Sequence, residues 1–116
     1  HLDGCLSASA IRVPTLNVSA MDISLSVRAE VDSQSANNVL KAASETYIAN
    51  VLGVSERPLV SSDFNHDPRS AIVDLTQTSV SGKHLLRIFV WFDNEWAYAN
   101  RMLDIAQLIA NINGGE

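Results

Sequence analysis

Met21, Ile23, Leu25, Val27, Ala29 and Val31 alternate with Asp22, Ser24, Ser26, Arg28, Glu30 and Asp32, and no other stretch of the chain constrains the fold as tightly. A period of two puts every apolar group on one face of an extended backbone, so this segment is expected to be a long, half-buried strand. A strand needs neighbours to take up its backbone donors and acceptors, and the sequence offers several. Ala10 to Val13 reads as a shorter strand closed by Pro14, which has no amide hydrogen to give to a ladder. Leu59 to Phe64, Ala71 to Thr78 and Leu85 to Phe92 read as further strands. They are separated by a turn through Asn65, His66, Asp67 and Pro68 and by another at Ser81 and Gly82.

Two segments carry helical spacing instead. Val39, Leu40, Ala43, Tyr47, Ile48 and Val51 recur on one stripe, with Ser33 or Ser35 placed to cap the start and Gly53 to end it. Met102, Ile105, Ala106, Ile109 and Ile112 form a second stripe, followed by Gly114 and Gly115. The order of elements, with no repeat and no low-complexity linker, points to the α+β class: an antiparallel or mixed sheet covered by helices on one face.

Charge and cysteine usage narrow the function. The formal net charge is −5, and the eight basic residues (Arg12, Arg28, Lys41, Arg57, Arg69, Lys83, Arg87, Arg101) form no stripe, so nucleic acid is not an expected partner. A single small phosphate needs only one or two close donors and stays open as a ligand. The chain has 116 residues, 47% of them hydrophobic, which suffices for a core without staples. Cys5 is the only cysteine, so an internal disulfide and a zinc-thiolate cluster are both excluded and a reducing compartment is expected. No apolar run approaches the roughly 18 residues of a membrane span, and the first residues lack the order of a signal peptide. A cytoplasmic chain with no membrane contact is expected.

Several residues could carry chemistry. Arg12, between Ile11 and Val13, would point away from its apolar neighbours and could fork two hydrogen bonds to a phosphate, although such an arginine usually lies on a solvated face. Asn94, between the last strand and the last helix, could cap the helix or bind a ligand, and Tyr98 lies one turn later on the same side. Cys5, followed by Leu6 and Ser7 in a turn-like segment, reads as incidental rather than nucleophilic. His66 and Asp67 are adjacent in a turn, where a turn-stabilising Asp and an exposed His are the default; Arg69 would pair with Asp67 or with a neighbouring subunit. His1 and His84 lack metal-ligand spacing, no glycine-rich phosphate loop is present, and Asn17-Val18-Ser19 is an incidental glycosylation sequon.

Three blocks in order resemble the catalytic domain of the glyceraldehyde-3-phosphate dehydrogenase family. They are Ile11-Arg12-Val13-Pro14-Thr15-Leu16-Asn17-Val18-Ser19 with Asp22, Pro58 to Phe64 with Ser70 to Asp74, and Trp91-Phe92-Asp93-Asn94-Glu95-Trp96 through Met102. Asn65-His66-Asp67-Pro68, Thr76-Gln77-Thr78, Val80 to His84 and Phe92 look closer to the erythrose-4-phosphate dehydrogenase branch than to the glycolytic one.

The resemblance implies a two-domain subunit in a homo-oligomer, a tetramer in the family, with residues 1–116 forming the C-terminal part of the catalytic domain. Its last helix would pack on a Rossmann domain that binds most of the NAD. It implies that a cysteine upstream, helped by a histidine, attacks the phosphorylated aldehyde, and that hydride then passes to NAD. Water is the usual acceptor in the erythrose 4-phosphate branch, which gives 4-phosphoerythronate on a route toward pyridoxal phosphate; inorganic phosphate is the acceptor in the glycolytic branch. The resemblance also gives Arg12 the role of anion ligand, Asn94 that of hydrogen-bond partner of the nicotinamide carboxamide, and Tyr98 a place beside that ring. None of the residues here is the expected nucleophile, and no metal is implied. A chain with these parts alone is expected to be inactive. The rival reading is a non-catalytic oligomerisation module that keeps the motifs as ancestry.

Overall fold

A computed structural model describes residues 3–113. His1 and the Gly114-Gly115 pair after the last helix lie outside them. The elements run β1 (Ser19–Ser26), α1 (Ser33–Ser44), β2 (Leu52–Ser55), a 3-10 turn (Ser61–Phe64), β3 (Ala71–Ser81), β4 (Leu85–Phe92) and α2 (Asn94–Asn113). The four strands form one mixed sheet in the order β1-β4-β3-β2. β4 is antiparallel to both β1 and β3, and β2 runs parallel to β3. The class is α+β, as the pattern of elements predicts.

The alternation does form a strand, but a shorter and less buried one than expected. β1 ends at Ser26. Beyond it Val27 and Val31 donate to the carbonyls of His84 and Lys83, so the chain curls around the tip of the β3-β4 hairpin. That tip holds Gly82 at φ +56° and Lys83 at φ +66°, left-handed geometry that a glycine accepts without steric cost. β1 lies at the sheet edge, and its apolar face stays partly open at Met21 and Leu25.

The strand expected over Ala10 to Val13 is absent. Every described residue up to Leu16 is exposed, and among the described residues no segment pairs with this one. A ladder needs a partner as well as suitable side chains.

Local side-chain chemistry moved three further boundaries. Asp32, not Ser33 or Ser35, caps α1: its carboxylate accepts from Ser35 N at 2.7 Å while Ser35 Oγ accepts from Asp32 N at 3.1 Å. The helix stops at Ser44 instead of running on to Gly53. Thr46, Ala49 and Val51 each donate three residues back, and Tyr47 lies almost wholly in solvent. Gly53 sits within β2, where a Cβ would collide with the Arg69 guanidinium. The expected strand over Leu59 to Phe64 is a 3-10 turn, because Asp63 Oδ2 accepts from Val60 N at 2.8 Å and closes the chain on itself.

The core has two small parts, one on each face of the sheet. On one face Val73, Leu75 and Val90 pack with Leu40 of α1 and with Ile23, Leu52, Val54 and Ile88. On the other, Val18, Phe64 and Ile72 pack with Leu59 and Trp91, the rings of Phe64 and Trp91 stacking at 5.4 Å. Asp74 takes both Thr76 N and Thr76 Oγ1, and the β3-β4 register breaks between Asp74 and Ser79. α2 is anchored by its first two turns, through buried Ala97 and through Arg101, which donates to the Asn50 carbonyl at 2.8 Å. Beyond them Met102, Leu103, Ile105, Leu108, Ile109 and Ile112 are all exposed. No helix among the described residues is long and apolar enough to cross a membrane.

Candidate functional site

Three distant pieces of chain meet at Asp93, which is 1% exposed. Its Oδ2 accepts from Asn17 Nδ2 at 2.8 Å and from the His66 amide at 2.9 Å, and its Oδ1 accepts from the Trp96 amide at 3.2 Å. Burial pushes this carboxyl up, but the donors of His66, Trp96 and Asn17 outweigh it and hold the group below its ordinary value. A buried carboxylate with three donors is a structural anchor, and it also caps α2, whose first helical bond runs from Ala97 N to the Asp93 carbonyl.

The capping role weighed for Asn94 therefore belongs to Asp93. Asn94 is the first residue of α2 and exposed, and no hydrogen bond among the described residues occupies its amide. Tyr98, also exposed, follows at i+4, so the two share one side of the helix.

Backbone strain surrounds the anchor. Val18 holds φ +70° and His66 φ +60°, and a β-branched residue in the left-handed region is costly unless packing holds it there. Val18 is held by Phe64 and Ile72. The His66 ring lies over Trp96 with centroids 4.4 Å apart. Asp67, its neighbour, is engaged by Arg69, whose Nε donates at 2.9 Å and whose hydrogen bonds hold the carboxyl below its usual value. His66 and Asp67 form no acid-base pair.

Arg12 lies on the exposed segment before β1, without a described ion-pair or hydrogen-bond partner. Neither it, Asn94 nor Tyr98 lines either of two shallow clefts. One, of about 330 Å³, lies between α1 and β3 around Asn37, Lys41 and Thr76, and the other, of about 390 Å³, lies between Asn50, Arg69 and Arg101. The link between Arg12 and the start of α2 is short: five residues of chain lead from Arg12 to Asn17, whose amide hydrogen-bonds Asp93, the residue before Asn94. At no more than about 3.6 Å per residue, the Arg12 backbone stays within roughly 18 Å of the Asn17 backbone. Cys5 is exposed.

Asn17 and Asp93 were not singled out as site residues by the sequence. For Asp93 a usable signal existed, since Asp directly before a helical run is a common cap. For Asn17 the flags were the glycosylation pattern and its place in the first block of the resemblance, neither of which pointed to an anchor; its amide nitrogen is committed to Asn65 and Asp93. Among known protein families, the model of the glyceraldehyde 3-phosphate dehydrogenase C-terminal domain matches residues 1–94.

Proposed function

The chain belongs to the glyceraldehyde 3-phosphate dehydrogenase C-terminal domain family, a family of dehydrogenases, and from that premise we propose that it forms the phosphate-holding and nicotinamide-facing side of an NAD-dependent dehydrogenase for phosphorylated aldehydes. The observation that carries this reading is the Asn17-Asp93 hydrogen bond, which makes the Arg12 segment and the Asn94-Tyr98 side of α2 start from one point.

In this reading Arg12 binds the phosphate of the aldehyde through its planar fork of donors. Asn94 orients the nicotinamide by its carboxamide, and Tyr98 shields the ring from water. An exposed amide with an aromatic ring one turn away fits a planar ring bearing a carboxamide. NAD, when bound, supplies the hydride acceptor. The nucleophile and most of the dinucleotide contacts come from other parts of the enzyme. Erythrose 4-phosphate is the preferred substrate over glyceraldehyde 3-phosphate, on the resemblance of Asn65-His66-Asp67-Pro68, Thr76-Gln77-Thr78 and Val80 to His84.

A phosphate titration followed by amide NMR tests the site. Shifts centred on Arg12 are expected, and a flat response at high phosphate contradicts the reading. The purified chain should also show no NAD-dependent aldehyde oxidation; turnover lost in Cys5→Ser would instead make Cys5 the nucleophile. The exposed apolar row on α2 favours a second reading, a non-catalytic assembly module, for which phosphate would be silent while self-association persists.

A further inference from the structure

We propose that Asn17 is a positioning residue that sets the geometry of Arg12 relative to Asn94. The inference rests on the reading of Arg12 and Asn94 as ligand contacts and adds how they are held together.

The Asn17 amide has two hydrogens, and both are spent: Nδ2 donates to Asn65 Oδ1 at 2.6 Å and to Asp93 Oδ2 at 2.8 Å. Aspartate has no donor for this place, serine has one, and glutamine carries its donors a methylene too far out. Asn17 thereby clamps the end of the Arg12 segment to the turn before His66 and to the cap of α2. Its neighbour Val18 is 7% exposed and held at φ +70°, which fixes the direction in which the chain leaves the clamp.

Between the clamp and Arg12 the chain is short and stiffened. Pro14 fixes one φ, Thr15 N donates to the Val13 carbonyl at 2.9 Å, and Thr15 Oγ1 donates to the Asn17 carbonyl at 3.3 Å. Residues 3–16 are exposed throughout, and among the described residues none of them hydrogen-bonds to the fold beyond Asn17 itself. Asn17 is therefore where this segment acquires a fixed place. Without the clamp, binding an anion at Arg12 would have to order several residues at the same time, and ordering even one costs about a tenfold loss in affinity.

The test compares inorganic phosphate affinity at Arg12, by NMR, in the wild-type chain, Asn17→Ala and Val73→Ala. Val73 is buried on the other face of the sheet, so its variant loses stability without touching the clamp. Asn17→Ala is expected to weaken phosphate binding about tenfold or more, while Val73→Ala leaves it unchanged at matched folded fraction. Asn65→Ala, which removes one of two acceptors on an exposed turn, should weaken it by a smaller factor and serves if Asn17→Ala does not fold. Equal affinity in wild type and both clamp variants overturns the proposal while leaving Arg12 as the anion ligand. Absence of any phosphate response in the wild type overturns the Arg12 reading itself and the proposal with it.

Discussion

Asp93 is the residue on which most of the candidate site depends, and its weight follows from burial. Removing its carboxylate leaves the Asn17 amide and the His66 and Trp96 backbone amides without their acceptor and α2 without its cap. Asp93→Ala should therefore lower stability by about 2–4 kcal/mol, read as a shifted denaturation midpoint with an unchanged slope. The pH dependence has a definite sign. The folded carboxyl titrates below its unfolded value, so its contribution is complete above that unfolded value, near 3.8, and fades as pH falls through the folded one. Asp93→Ala should flatten acid unfolding in that window; an unchanged acid limb would count against the anchor. What was legible in the sequence for Arg12, Asn94 and Tyr98 is their place in recognisable local blocks, which makes them candidates. The Asn17-Asp93 bond was not, because it joins residues 76 positions apart, and no periodicity encodes such a pairing.

At the scale of elements, β4 and the core of β3 were legible because their apolar, β-branched and aromatic residues agree with a buried ladder. Errors arose where short polar side chains satisfy the backbone locally. Asp63 turns the chain after Leu59, Asp32 sets the start of α1, and Asp74 breaks the β3-β4 ladder. β2 was missed because it has four residues, Leu52–Ser55, and gains its place only from parallel pairing with β3. Asp32→Ala should cost about 1 kcal/mol in thermal or chemical denaturation, the usual worth of a helix cap, while Ser33→Ala should cost far less if Asp32 is the cap. Hydrogen exchange should divide α2 into two parts. Its first two turns, tied down by Asp93, Ala97 and Arg101, should be protected; amides after Met102, where the apolar side chains face solvent, should exchange much faster.

For the molecule as a whole, the sheet is unevenly covered. α1 packs over β2 and β3, whereas Met21 and Leu25 on β1 and the far turns of α2 leave apolar surface in water. Apolar surface and an unpaired strand edge recruit other chains, so light scattering should show self-association rising across the micromolar range. Replacing Leu103, Leu108 and Ile112 with glutamine should reduce that association without lowering core stability. The α+β class was readable because it depends on the order and period of elements. The openness was not readable from period, since it depends on which surfaces find partners; only the resemblance, in which the last helix packs on another domain, pointed to apolar surface left for a partner. The proposed site requires that Arg12 and the Asn94-Tyr98 side of α2 face one place. A nitroxide on Arg12→Cys, in a Cys5→Ser background, tests it most directly. Strong paramagnetic broadening of Asn94 and Tyr98 with little effect on α1 is expected, and broadening confined to residues 6–17 would rule out a shared site.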